Sequence, residues 1–331
     1  MNVRVELIWG VNVKGQEINL EDFFNSTRID IEKKIVTTID DQQIIKILNG
    51  GKRLRSLLAA LAFKACTRGK ETPEQYQNSL EGTVGIELAH GASLVHDDII
   101  DKDSERRGKT AFHVEEGIGK AILTGHKMLV RGFDIALKNG KEWARLYVDS
   151  WNEVINGEID EVDFNKNGNS NNFSTKSQIL DAYYKIINMK TAALFSSACK
   201  AGAIGADMTG DILKVFADYG REIGLAYQLA DDLVDLSHGE MIDSVVVPLL
   251  NRLESKDAKV GAFKKLEIKR KFARNKDKIQ EIYLEEIQKH VRNAVELSRS
   301  DLIPVSSYKD MLIDAPNYII NKMLREINVT I

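Results

Sequence analysis

Proline is scarce in this chain: four in 331 residues, at positions 73, 248, 304 and 316. The main breaker of helices is missing from most of its length, which favours a mostly helical chain. Cysteine is scarcer. Cys66 and Cys199 are too far apart for a metal-ligand pair, and two thiols make no disulfide framework. They read as buried free thiols in a reducing compartment. No uninterrupted apolar run approaches the roughly 18 residues of a membrane span. Excess positive charge is also absent: a net charge of −3 gives no general attraction to nucleic acid. The segment Met1–Gly10 has no basic head followed by an apolar core, so no signal peptide is expected and the expected location is cytoplasmic. What is present is 43% hydrophobic and 29% charged residues. That composition rules out a disordered or collagen-like chain and suffices for a sizeable core.

Helical periodicity dominates from Phe23 onward. Ile31, Ile35 and Ile39, then Ile44, Ile47 and Leu48, recur at three- and four-residue steps. Leu54–Ala65 is almost wholly apolar and predicts a buried helix. Ser79–Asp101, Gly119–Lys138, Glu142–Asn156, Ser177–Gly205, Gly210–Leu236 and Tyr308–Ile327 predict further helices. Ala262–Ile303 holds neither Gly nor Pro and is heavily charged, which predicts long exposed helices. Residues 1–20 alternate apolar and polar positions and suggest an extended N-terminal segment. The polar stretch Asn165–Ser174 predicts a surface loop, and Ser237–Val247 a short connection. No internal repeat or interdomain linker is visible, so one all-α domain over 1–331 is expected.

Two acidic strings stand out. In the first, His90-Gly91-Ala92-Ser93-Leu94-Val95-His96-Asp97-Asp98-Ile99-Ile100-Asp101, an apolar helix ends in three carboxylates. Asp97 and Asp101 lie one turn apart and point the same way, with His90 two turns back on nearly the same face. Negative charge near a helix C-terminus opposes the macrodipole, and like charges at i,i+4 repel. A hard divalent cation with oxygen ligands is the natural compensation. Taken alone, such a string is more simply a solvated helix end. The second string, Tyr227-Gln228-Leu229-Ala230-Asp231-Asp232-Leu233-Val234-Asp235, repeats the pattern 134 residues further on. Two such helices in one bundle can face each other across a cavity. Six carboxylates gathered there demand cations, so the pair argues for several Mg²⁺ ions bound through substrate phosphates.

Basic residues complement the acids. Gly50-Gly51-Lys52-Arg53-Leu54-Arg55 opens an apolar helix, where glycines and free N–H groups admit an anion. Lys52 and Arg55 share a face. Arg106-Arg107-Gly108-Lys109 follows the first acidic string, and arginine suits bidentate phosphate contact. Lys190-Thr191 lies within an apolar helix. Each element alone has a plain surface explanation. Together they describe metals and separated cations holding two anionic substrates, a chemistry in which metal ions assist the departure of diphosphate.

With these five pieces in order, GGKRLR, HGASLVHDDIID, RRGK, KT and YQLADDLVD, the chain resembles the trans-isoprenyl diphosphate synthases. The pieces span about Asn49 to Asp235. The resemblance implies an all-α helical bundle of the isoprenoid synthase type with a deep central cavity, usually a homodimer. It implies condensation of isopentenyl diphosphate with an allylic diphosphate. Lys52, Arg55, His90 and Arg107 would hold the isopentenyl diphosphate, and Arg106 and Lys190 the allylic diphosphate. Asp97, Asp101 and Asp231, supported by Asp98 and Asp235, would bind about three Mg²⁺. The Lys190 backbone, the Thr191 hydroxyl and Gln228 would stabilise the carbocation.

The chain also departs from the family's pattern. Leu236–Ser244 lacks the lysines usual after the second acidic string. His126 replaces the usual aspartate after Gly125, and Gly157-Glu158 replaces Gly-Gln. The missing lysines leave open an alternative, a non-catalytic subunit that modulates an active partner. A terpene cyclase is disfavoured because its second metal motif differs from DDLVD, and a purely structural bundle because buried acidic clusters cost stability. In the family, bulky residues four and five positions before the first aspartate shorten the product. Here these are Ser93 and Ala92, with Ala89 a turn earlier, so a product of C20 or longer is expected.

Overall fold

The computed structural model describes residues 18–166, 176–238 and 265–331. The N-terminal extended segment, the 165–174 loop and the lysine-free stretch after Asp235 fall largely or wholly outside them. The described residues are almost entirely helical. The helices are α1 (Leu20–Thr38), α2 (Gln42–Leu48), α3 (Leu54–Thr67), α4 (Pro73–Asp101), α5 (Phe112–Glu116), α6 (Ile118–Lys138), α7 (Lys141–Lys166), α8 (Lys176–Ile187), α9 (Ala193–Gly205), α10 (Asp211–His238), α11 (Lys265–Ser298) and α12 (Ser307–Leu324). A two-residue hairpin, β1 (Glu105–Arg106) and β2 (Lys109–Thr110), lies between α4 and α5. Among the described residues, no helix is long and apolar enough to cross a membrane.

The chain forms two compact units. Residues 1–149, 197–217 and 298–313 make the first; residues 150–196, 218–297 and 314–331 make the second. In the first unit, α4 is the hub and packs against α1, α2, α3, α5 and α6. It starts six residues earlier than its periodicity predicts. Pro73 is not a breaker here but the first helical residue, where its missing N–H costs nothing, and Thr72 and Gln75 close a capping box in front of it. Every residue of α3 from Ser56 to Cys66 is buried, as its apolar sequence predicts. At Gly91 the α4 backbone comes so close to its neighbours that a Cβ would lie 2.6 Å from the Met128 side chain and 2.7 Å from that of Leu48.

In the second unit, α7 runs ten residues beyond its predicted end at Asn156. Gly157 is not a terminator: the helix continues through it, and a Cβ there would lie 3.0 Å from the backbone nitrogen of Lys190, so the close approach suits glycine alone. The predicted single helix over 177–205 is interrupted by a π-helical turn at Asn188–Ala192. Arg221 of α10 anchors that turn, donating to Asn188 at 2.8 Å and to Glu153 at 2.9 Å. The long charged stretch forms the helix α11 but not an exposed one, because Ile279, Tyr283, Ile287, Val291 and Ala294 at three- and four-residue steps bury one face. It kinks at Asn275, where the backbone leaves helical values.

Candidate active site

The first unit holds a basic cradle built from a loop, two helices and a hairpin. The chain leaves α2, turns at Gly50 (φ +78°) and enters α3 through Arg53, which also adopts a left-handed conformation (φ +57°). Arg53, the N-cap residue of α3, makes no side-chain cap hydrogen bond to the helix's first turn. Lys52 is exposed at the end of the loop. From α3, the Arg55 Nη1 lies 3.1 Å from His90 Nε2 of α4. A guanidinium has no lone pair to offer, so it donates and the imidazole nitrogen accepts, leaving His90 neutral. Burial, followed by the fields of Arg55, Arg107, Arg53 and Arg106, pushes the His90 pKa well below the usual imidazole value. Arg107 arrives from the β1–β2 hairpin. Arg107 and Gly108 both have positive φ (+54° and +68°), forming the two-residue turn that joins paired Arg106 and Lys109. Arginine is unusual at that turn position. There its guanidinium donates to the Asn49 carbonyl at 3.2 Å and lies against the Gly50–Gly51 backbone. The four predicted ligands of isopentenyl diphosphate are thus carried by one loop, α3, α4 and one hairpin of the same unit.

Above this cradle, α4 ends in the first acidic string, closed by left-handed Lys102. The three carboxylates do not share one environment. Asp98 is buried and accepts from Arg106, at 2.7 Å from Nε and in a closer contact from Nη2. Arg106 also reaches Asp103 at 3.3 Å. Burial raises the Asp98 pKa, and the Arg106 bonds oppose that rise. Asp97 is half-buried and Asp101 exposed. Arg106, expected to meet substrate, is therefore engaged with the string itself, while over a third of its side chain remains exposed. His126, in place of the family's aspartate, sets its ring edge against His96 with centroids 5.4 Å apart.

The second unit holds the other predicted residues. Lys190 and Thr191 lie in the π-turn, a local distortion frequent at functional sites. The Thr191 hydroxyl donates to Gln228 Oε1 at 2.7 Å, and Gln228 Nε2 donates to Asp232 at 2.9 Å. The Tyr183 hydroxyl donates to the other Asp232 oxygen at 2.5 Å. Asp232 is fully enclosed. Burial raises its pKa to about 7, against the two hydrogen bonds and with the help of the Asp231 and Asp235 charges. Asp231 and Asp235 are half-buried, one turn apart on α10. Lys190 pairs with Glu158 at 3.1 Å and with Glu161. Glutamate at 158, where the family has glutamine, gives that lysine a charged partner.

The same division recurs in both strings. The middle aspartate is buried and held by the protein's own donors, and the first and last lie on the less buried side of their helix. Tyr183, Glu161 and Arg53 were not found from the sequence as parts of this machinery. Their partners are 49, 29 and 34 residues away, on other helices, and no local spacing marks them. Among the described residues, no group of three or more His, Cys, Asp or Glu side chains converges to hold a metal by protein ligands alone.

A family model described as polyprenyl synthetase matches residues 40–246, which include every site residue described above. Over 200 residues the chain is 30% identical to a geranylgeranyl diphosphate synthase of Methanosarcina mazei, covering 58% of this chain and 57% of that protein. Over 192 residues it is 34% identical to an octaprenyl diphosphate synthase of Haemophilus influenzae, covering 58% and 54%. The matched segment therefore spans little more than half the length of these relatives. The fold matches the crystal structure of a geranylgeranyl pyrophosphate synthetase from Pyrococcus horikoshii with a TM-score of 0.71, at 23% identity over 91% of this chain and 98% of that one. An all-α bundle carrying two acidic strings, a basic cradle and a distorted Lys-Thr turn, matched by that model over most of its length, places the chain in the polyprenyl synthetase family.

Proposed function

We propose that the chain condenses isopentenyl diphosphate head-to-tail with an allylic diphosphate and requires Mg²⁺. The observation that carries this reading is the shared construction of the two acidic strings. In each, donors within the protein satisfy the inner carboxylate, and the outer pair at i,i+4 is the part suited to a metal. These are hard oxygen donors with no nitrogen or sulfur among them, as Mg²⁺ prefers. Two carboxylates per string suit an ion that completes its shell with water and substrate phosphate. Asp97 and Asp101, with Asp231 and Asp235, would hold about three ions; Asp98 and Asp232 orient their strings from behind. When bound, the metal neutralises negative charge accumulating on the departing diphosphate.

Lys52, Arg55, Arg107 and the N-terminus of α3 bind the diphosphate of the isopentenyl substrate. His90 accepts from Arg55 and so holds that guanidinium in place. Arg106 and Lys190 bind the allylic diphosphate; each is held by carboxylates of its own unit, Arg106 by Asp98 and Lys190 by Glu158 and Glu161. As the allylic C–O bond ionises, the diphosphate leaves with the bonding pair. The Thr191 hydroxyl, the Gln228 amide oxygen and the Lys190 carbonyl offer lone pairs to the carbocation. The isopentenyl double bond attacks that cation and forms the new C–C bond. The released diphosphate takes the proton from the adjacent carbon, which restores a double bond. No protein nucleophile is needed. Ala89, Ala92 and Ser93 are small and buried, and support a product of C20 or longer.

A homodimer is supported by α6. Gly119, Leu123, His126, Val130, Phe133 and Leu137 follow alternating four- and three-residue steps, the spacing of a helix–helix seam. Leu123, Val130 and Leu137 are 69%, 67% and 53% exposed. The basic residues flanking the seam are neutralised within the chain, Lys127 by Asp41, Arg131 by Asp40 and Lys138 by Asp134. An uncharged seam suits pairing with its own copy. With neighbouring Ile118 and Ile122 it offers on the order of 500 Å² per copy, near the lower limit of a specific interface. The two buried thiols fit a cytoplasmic location.

Asp97→Ala and Asp231→Ala test the metal assignment. Each should lower turnover by at least about 10³-fold with the fold intact; near-normal turnover in both overturns it. The lysine-free stretch Leu236–Ser244 favours a second reading, a subunit that modulates an active synthase. That reading predicts no product from the isolated chain and a changed product length when an active homologue is added.

A further inference from the structure

The GGKRLR element carries three cations, and the middle one behaves unlike the other two. Lys52 is exposed and Arg55 half-buried, but Arg53 is 3% exposed. Its guanidinium is enclosed by three elements. Nε donates to Glu32 of α1 at 2.8 Å, and Nη2 to the same carboxylate at 3.2 Å. Nη2 also donates to the Leu48 carbonyl at the end of α2, at 2.6 Å, and Nη1 to Glu87 of α4, at 2.9 Å. An arginine arranged this way cannot reach a substrate.

What it does touch is the support of the cradle. The Gly51 backbone rests on the Arg53 guanidinium so closely that a Cβ at 51 would lie 2.6 Å from Nη1. Glu87, which receives Arg53, also accepts from Ser56 of α3 at 2.6 Å. Glu87 lies three residues before His90 on α4, and Arg53 lies two residues before Arg55. The Arg53–Glu87–Ser56 bonds therefore fix α3 against α4 at the turn where Arg55 meets His90. The backbone of Arg53 itself is left-handed, a conformation that a residue other than glycine keeps only when its surroundings enforce it. Here four side-chain bonds enforce it, and they draw the Arg53 side chain away from the α3 N-terminus, which it does not cap.

We propose that Arg53 is a positioning residue that sets the affinity for isopentenyl diphosphate without touching it, by seating the Gly50–Lys52 loop and locking Arg55 against His90. The inference rests on the reading that this cradle binds that substrate. It distinguishes Arg53 from its neighbours by what a substitution changes. Arg53→Lys keeps the charge but loses the planar fork that binds Glu32, Glu87 and Leu48 together. Misplacing a binding group raises KM for the substrate it holds, whereas a loss of folded protein lowers the apparent kcat and leaves KM alone.

The test is steady-state kinetics of the full chain, varying isopentenyl diphosphate and the allylic primer separately, for Arg53→Lys and Glu32→Gln. Glu32 is 45% exposed in its side chain, so its conservative variant should fold even if Arg53→Lys does not. Arg53→Lys should raise KM for isopentenyl diphosphate about tenfold, and Glu32→Gln about threefold, while KM for the primer stays within about twofold. Calorimetric titration of isopentenyl diphosphate should show the same weakening. A fall in kcat alone, or an equal rise in both KM values, overturns the inference. If only Glu32→Gln folds, an unchanged KM for isopentenyl diphosphate in that variant overturns it. Failure of the unsubstituted protein to bind isopentenyl diphosphate overturns instead the reading of the cradle on which the inference rests.

Discussion

Asp98 and Asp232 hold the middle position of their strings, and each is turned inward to meet donors from its own unit: Arg106 for the one, Tyr183 and Gln228 for the other. At this scale the sequence reveals the residues that act through local spacing. His90 and the acidic strings fall on shared helix faces as their spacing predicts, and Arg55 meets His90, whereas Lys52 lies in the loop before α3 and does not share a helical face with Arg55. Arg53 reads as one more surface cation, and Tyr183 as one more core aromatic, because their roles depend on partners supplied by distant helices. His90 makes a prediction about stability. Burial and surrounding arginines hold its folded pKa well below its unfolded value of about 6.5. The unfolded chain therefore takes up a proton below pH 6.5 that the folded chain refuses. Stability contributed by neutral His90 is complete above that pH and declines as pH falls, by up to about 1.4 kcal/mol per pH unit. Denaturant unfolding between pH 7.5 and 5.5 should show a shallower decline for His90→Gln than for the unsubstituted protein. Parallel declines would contradict the account.

Among the elements, most helices follow from apolar periodicity, and the departures have specific physical causes. Pro73 starts α4 because the first helical position has no use for an N–H. α7 continues through Gly157, which the π-turn carrying Lys190 and Thr191 approaches too closely for a side chain. A π-turn adds one residue to a helix and leaves no mark in a periodic pattern. For α6 the sequence shows an amphipathic helix, but the structure adds that its apolar seam remains exposed. A charge placed in that seam should separate the copies. Leu123→Arg is expected to convert a dimer to a monomer, measured by sedimentation equilibrium, with helical content unchanged. A dimeric variant, or a monomeric unsubstituted protein, would contradict the α6 interface.

On the scale of the whole molecule, the all-α class was legible from scarce proline and sustained periodicity, and family membership rests on motifs spread over more than half the chain. The partition into two compact units was not legible. Its divisions fall inside α7, α9, α10, α11 and α12, where no linker composition marks them. Product length also belongs to this scale, since it depends on how far a growing chain can extend. Relatives of this chain include synthases named for geranylgeranyl and octaprenyl products. Replacing the buried Ala92 with Phe should shorten the product by at least one five-carbon unit, resolved by chromatography of the hydrolysed alcohols. An unchanged distribution would place the limit elsewhere.

The central claim is that the chain joins two diphosphate substrates with the help of Mg²⁺. The most direct measurement incubates the purified protein with labelled isopentenyl diphosphate and C5, C10, C15 or C20 allylic primers, each with Mg²⁺ and with excess chelator. The account predicts labelled prenyl diphosphates of C20 or longer with at least one primer, and none with chelator. A folded protein that yields no product with any primer in the presence of Mg²⁺ would contradict it.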